Sequence, residues 1–81
     1  METRVAVISI IVGKDGDIEA LNALLHYNGD MIIGRMGIPY RAKGINIISI
    51  VLDAPQDEIS ALAGKIGNLN DVTVKTAYSN V

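Results

Sequence analysis

Two stretches, VAVISIIVGKDGDIEAL at residues 5–21 and INIISIVLDAPQDEISAL at residues 45–62, carry the same pattern about forty residues apart. Each opens with eight residues dominated by Val and Ile, which is typical of a buried strand. A polar break follows, and then apolar residues recur at helical spacing. The pattern predicts a strand followed by a helix twice, with the strands at 3–12 and 45–53.

The segments after each repeat complete two halves of one fold. Asp17 can cap the first helix, which ends at Asn28, and Pro55 suits the first turn of the second helix. Residues 30–40 and 72–77 supply two further strands. The order βαββαβ predicts an α+β, ferredoxin-like sandwich, in which two helices cover one face of a four-stranded antiparallel sheet. Right-handed crossovers place strands one and three in the centre and strands two and four at the edges.

Composition restricts the class of protein. The 81 residues suit one domain, 1–81, and none of them is a cysteine, as expected for a reducing cytoplasm. Acidic residues outnumber basic ones by nine to seven, which disfavours direct nucleic-acid binding. The apolar run at residues 5–12 is too short to span a membrane and lacks the flanks of a signal peptide. We therefore expect a cytoplasmic protein that has no membrane partner.

The second strand has the features of an edge strand, because it contains two glycines and Pro39, which weaken a hydrogen-bonded ladder. Strict alternation divides its side chains between the two faces of the sheet. The set that we expect against the helices is Ile32, Gly34, Met36 and Ile38. The set that we expect on the face away from the helices is Met31, Ile33, Arg35 and Gly37.

Both faces of the central strands are aliphatic. Whichever face meets the helices, the other would leave an apolar patch that soluble monomers rarely expose. We therefore predict a homo-oligomer, either a dimer or a tetramer. The residues that we expect at its interface are Val7, Ile33, Arg35, Gly37 and Ile47.

Two segments are candidates for binding a small ligand. The turn GKDGD, at residues 13–17, could offer backbone amides to an anion or an amino-acid carboxylate, although an ordinary turn with a helix cap explains it more simply. The only basic cluster, Arg35, Arg41 and Lys43, could hold an acidic effector, or its charge could prevent association of edge strands. The candidate ligand contacts are Gly13, Lys14, Asp15, Gly16, Arg35, Tyr40 and Arg41.

Catalytic and metal chemistry are not indicated. His26 is the only histidine, and in the last turn of the first helix its charge would complement the helix dipole. A metal site would need further histidine or cysteine ligands. A nucleophilic triad would need a further histidine or cysteine as a partner. We expect neither an enzyme nor a cofactor, and we leave open whether His26 of several copies shares a metal.

Three segments resemble one protein family. LNALLH at 21–26, RMGIPYR at 35–41 and ALAGKIGNLNDVTVKT at 61–76 are similar to the iron-only hydrogenase system regulators. The resemblance extends from about residue 4 to residue 77. It implies an ACT-like ferredoxin fold that is related to the sensing domain of the nickel-responsive repressor. It also implies transcriptional regulation linked to hydrogenase genes, by dimers or tetramers with small-molecule effectors at their interfaces.

The nickel-responsive relatives differ from this chain in two features. They contact DNA through a ribbon-helix-helix arm, and they bind nickel through histidine and cysteine. This sequence has one histidine, no cysteine and no such arm among its 81 residues, so we expect neither nickel sensing nor direct DNA binding. The first interpretation is an oligomeric sensor that acts through a partner protein. The alternative is a structural oligomerisation module that binds no ligand.

Overall fold

The structure is a computed structural model, and it describes residues 2–80. The elements in chain order are β1 (Arg4–Val12), α1 (Ile18–Tyr27), a short 3₁₀ turn (Gly29–Met31), β2 (Ile32–Tyr40), β3 (Ile45–Ala54), α2 (Gln56–Gly67) and β4 (Val72–Tyr78). The strands form one antiparallel sheet in the order β2-β3-β1-β4. The predicted fold is therefore confirmed, including the central and the edge strands.

The hydrophobic core lies between the helices and one face of the sheet. Alternate residues of β1 and β3 are buried because they point toward the two helices. The core side chains of the sheet are Ala6, Ile8, Ile10, Val12, Ile48, Ile50, Leu52 and Ala54. Those of the helices are Leu21, Leu25, Ile59, Leu62 and Ile66. Within residues 2–80, no helix is long and apolar enough to cross a membrane.

The ends of α1 are fixed by polar side chains, as the sequence predicts. The carboxylate of Asp17 accepts a hydrogen bond from the Ala20 amide at 3.0 Å. At the other end, the side-chain amide of Asn28 donates to the Leu24 carbonyl at 2.8 Å. The first contact satisfies an amide that the helix leaves without a partner. The second adds a hydrogen bond to a carbonyl that already accepts from the Asn28 backbone amide at 3.2 Å.

β2 contains a bulge that strict alternation does not predict. Ile32 pairs with Leu52 of β3, whereas Gly34 pairs with Val51. Ile33 is therefore one extra residue in this strand. Because side chains alternate with a period of two, one extra residue exchanges the faces of all the residues that follow it.

Arg35 consequently lies on the side of the sheet that carries the helices, and its prediction on the opposite face is wrong. It pairs with Ile50, a core residue, and its guanidinium lies 3.4 Å from the side-chain oxygen of Asn22 on α1. Gly37 shares this side with Arg35. Met36 and Ile38, predicted to face the helices, lie on the other face, and so does Gly34.

We call the face that the helices do not cover the open face. Residues that pair across an antiparallel sheet share a face, so the register assigns every member. The open face comprises Val5, Val7, Ser9 and Ile11 of β1, Gly34, Met36, Ile38 and Tyr40 of β2, Ile45, Ile47, Ser49, Val51 and Asp53 of β3, and Thr73, Lys75 and Ala77 of β4.

Candidate functional site

The turn between β1 and α1 closes around Asp71, which lies just before β4. The Gly13 amide donates to the Asp71 carbonyl at 2.8 Å, and the Asp15 amide donates to the Asp71 carboxylate at 3.1 Å. The side-chain amide of Asn70 donates to the Asp15 carbonyl at 3.0 Å. The Gly16 amide donates to the Gly13 carbonyl at 3.0 Å. Three of the amides that the sequence offers to an anion therefore have acceptors within the chain, and the acceptor of one of them, the Asp15 amide, is the Asp71 carboxylate.

Lys14, Tyr40 and Arg41 meet at the same end of the sheet. A Cβ on Gly44 would lie 3.2 Å from Cγ of Lys14, so the lysine stem packs over the turn between β2 and β3. Arg41 begins this turn, and its carbonyl accepts from the Gly44 amide at 3.2 Å. Within residues 2–80, the side chains of Lys14 and Arg41 have no hydrogen bond or ion pair. Three of the candidate ligand contacts therefore lie at the same end of the sheet.

Arg35 is not part of that group. It lies five residues before Tyr40 in β2, and the two side chains are on opposite faces of the sheet. Its long contact to Asn22 is exposed, as is the arginine itself. The predicted ligand set is thus divided between two places, and its role in binding remains a prediction.

His26 lies in the last turn of α1, as predicted, and is exposed. Among residues 2–80, no three histidine, cysteine, aspartate or glutamate side chains are grouped closely enough to hold a metal ion. A site that uses His26 would therefore need ligands from other copies of the chain.

A groove between the helices, with a volume of about 590 Å³, is a feature that the sequence analysis missed. It is lined by Ala20, Ala23, Leu24, Tyr27, Lys65, Asn68 and Leu69. The α1 residues of this set recur at helical spacing beside the buried stripe, and this second stripe is the signal that could have indicated the groove. The groove is shallow and open to solvent, and its walls are mostly apolar.

The open face is the other large apolar surface. The exposed fractions of its large side chains are 45% for Ile11, 60% for Met36, 48% for Ile38 and 38% for Ile47. Ile38, Ile47 and Ile11 are paired in one row across three strands. Val7 and Ile47, two of the predicted interface residues, lie on this face. Ile33 is exposed at the bulge, and Arg35 and Gly37 point to the other side.

Comparison with known proteins places the chain in a family. Residues 4–76 match the TM1266-like family, described as "Iron-only hydrogenase system regulator, putative". The chain belongs to this family. The resemblance seen in the sequence is thereby confirmed, and the description names a regulator and no enzymatic activity.

One solved structure shows how closely the fold is shared. The uncharacterized protein TM1266 from Thermotoga maritima is 36% identical in sequence to this family member, with a TM-score of 0.91. The match covers 95% of this chain and 98% of the other. No curated protein matches the chain.

Proposed function

We propose that this protein is a homo-oligomeric regulatory domain of the iron-only hydrogenase system, in which two or more copies pack through the open face. A small effector binds at that interface and changes how the assembly binds a partner protein. The partner protein in turn changes transcription. The family description supports the regulatory part of this proposal. The open face supports the assembly.

The proposal rests on the open face, which is largely aliphatic and which the helices do not cover. Four strands about 4.8 Å apart, each rising about 3.4 Å per residue over roughly nine residues, give this face a plan area of ~600 Å². Polar residues, among them Ser9, Ser49 and Lys75, take up part of this area. The apolar remainder is on the scale of the largest patches that soluble monomers expose, and such patches often mark interaction sites. Two copies packed face to face would cover about 1,200 Å² in total, which is the lower limit for a specific, stable interface. A second copy of this chain therefore fits the face in area, and its aliphatic rows match the aliphatic rows of the face.

Charge argues for action through a partner protein and against direct contact with DNA. The net charge is −2, and the open face carries one lysine and one aspartate. The three cations at the end of the sheet, Lys14, Arg41 and Lys43, are too few for the extended basic surface that phosphate backbones require. Their place at the end of the sheet, beside a stacked copy, suits contact with an acidic effector or with an acidic partner.

The assembly is tested by native mass spectrometry and sedimentation equilibrium of the full chain and of two variants. Ile47→Asp places a charge in the middle of the open face, so we expect this variant to be monomeric at micromolar concentration. Ala61→Asp, on the exposed surface of α2, makes the same kind of change away from the face and should assemble like the wild type. A wild-type protein that stays monomeric at these concentrations would overturn the proposal.

The same spectra separate a sensor from a structural module. A small molecule that purifies with the oligomer and is lost from the Ile47→Asp monomer would support an effector site at the interface. An oligomer that carries no added mass and whose melting temperature no screened metabolite raises would favour the module without ligand.

A further inference from the structure

We infer that the open face binds a small oxyanion, a carboxylate or a phosphate, through Ser9, Ser49 and Lys75, and that this anion joins two copies of the chain. The inference rests on the proposed association through the open face. It gives that interface a ligand class and three contacts that differ from those predicted from the sequence.

The three residues form one polar row across an otherwise aliphatic surface. Ser9 of β1 pairs with Ser49 of β3 on one side and with Lys75 of β4 on the other. Directly opposed residues have Cβ atoms about 4.5 to 5.5 Å apart, so the two hydroxyls and the ammonium can reach a single oxyanion. Met36 ends the row on β2.

The rows on either side are apolar. Val7 pairs with Val51 before the polar row, and Ile11 pairs with Ile47 after it. These rows would contact the hydrocarbon part of a small organic acid while its charged end meets the polar row. They would also exclude water once a second copy covers the face.

None of the three polar side chains has a partner of its own among the described residues. Within residues 2–80, Ser9, Ser49 and Lys75 make no side-chain hydrogen bond or ion pair. The acidic residue of the same face, Asp53, pairs with Val5, two rows along β1 from Ser9. That spacing is about 14 Å along the strand, which is too far for a direct ion pair within one copy.

Packing of a second copy over this polar row removes water from its polar groups, and this desolvation has a free-energy cost. Each copy contributes an ammonium group and two hydroxyls, and the packing removes the water that solvates them. A buried charge without a partner opposes association, and two like charges in one interface oppose it further. An oxyanion bound between the copies supplies the opposite charge and accepts hydrogen bonds from the serines. Association of the wild type should therefore depend on the anion.

The test is sedimentation velocity of the full chain in sodium chloride, with inorganic phosphate or propionate replacing chloride at equal ionic strength. We expect either probe to lower the dissociation constant of the wild-type dimer at least tenfold. A response to only one of them identifies the oxyanion that the site binds. Lys75→Met should associate at least as tightly as the wild type in chloride, because the unpaired charge is gone, and should not respond to either anion. Lys75→Arg keeps the charge and should keep the response.

Lys65→Met removes a cation on α2, away from the open face, and should respond as the wild type does. Circular dichroism checks that each variant is folded. Ser9→Ala supplies a second test, in which we expect the loss of most of the anion response.

The inference is wrong if wild-type association is equal in all three salts, or if Lys75→Met responds to the anions as fully as the wild type does. In either case the protein would still be an oligomer. A monomer in every salt would instead overturn the proposed function itself.

Discussion

Asp71 shows how one residue can connect distant parts of this chain. Its backbone φ is 54°, in the left-handed region that aspartate and asparagine enter more readily than most residues. This conformation aims its carboxylate at the turn after β1, where it accepts from the Asp15 amide. The sequence predicts a turn at Asn70 and Asp71, and another at Gly13, but it contains no signal that the two turns bind each other. Such a contact depends on tertiary placement, and it engages the amides of Gly13 and Asp15, two of the groups that the sequence offers to an anion.

Gly13 is the residue whose replacement tests this contact. A Cβ at position 13 would overlap the carboxylate of Asp71, so this side chain would have to rotate away and give up its hydrogen bond with the Asp15 amide. We expect Gly13→Ala to lower the free energy of unfolding by about 0.5 to 1.5 kcal/mol, the usual net contribution of one hydrogen bond. Urea denaturation followed by circular dichroism measures the change.

Gly29→Ala is the matched control, because a Cβ there would have no atom within 4 Å. Its free energy of unfolding should be unchanged or higher by up to about 1 kcal/mol, since alanine restricts the unfolded chain more than glycine does. Equal stability of the Gly13→Ala and Gly29→Ala variants would show that the two turns are not in close contact.

At the scale of elements, period-two alternation holds throughout β1 and β3 and fails in β2. The central strands are paired on both sides, so an inserted residue would break two ladders, whereas an insertion in an edge strand disturbs only one. Ile33 is such an insertion. Gly34, which follows it, was the available signal, because a glycine inside a strand often marks a bulge. The consequence is large: Met36 and Ile38 join the open face, and Arg35 leaves it.

The position of Arg35 on the edge strand makes its role testable. Its exposed contact with Asn22 is long and should contribute little to stability. We expect Arg35→Val to change the free energy of unfolding by less than about 0.5 kcal/mol. The same variant should aggregate faster, because it leaves an uncharged, β-branched edge. Urea titration and thioflavin T fluorescence at elevated temperature measure the two effects.

Arg41→Val serves as the comparison, because it removes the same charge from the turn that follows β2 and not from the strand itself. It should aggregate at the wild-type rate. Equal aggregation of all three proteins would mean that charge on this strand does not protect the edge, and a ligand contact for Arg35 would then be the stronger explanation.

At the scale of the whole molecule, the sequence predicts the fold because its signals agree with one another. Two strand–helix repeats, a capped helix, edge residues in β2 and aliphatic centres in β1 and β3 all favour the same sandwich. The candidate site is predicted less well. Hydrophobic patterning predicts that the open face is covered by another copy, but a pattern within one chain contains no information about the geometry of that copy. The polar row of Ser9, Ser49 and Lys75 becomes visible only when the register aligns three strands that are distant in sequence.

If folding is completed by association, the melting temperature must depend on protein concentration. For a dimer, a tenfold rise in concentration adds about 1.4 kcal/mol to the stability of the folded state. Two copies of 81 residues form an assembly for which 1 kcal/mol corresponds to roughly 2 to 4 °C, so we expect a rise of about 3 to 6 °C for each tenfold step. Differential scanning calorimetry over two tenfold steps in the micromolar range measures this rise. The control variant Ala61→Asp should show the same rise of melting temperature with concentration.

Ile47→Asp should melt at a lower temperature, and this temperature should be independent of concentration, because its folded and unfolded states are both monomeric. A wild-type melting temperature that stays constant across this range would mean that one copy folds without a partner, and the stability of its uncovered face would then have to come from the core between sheet and helices alone.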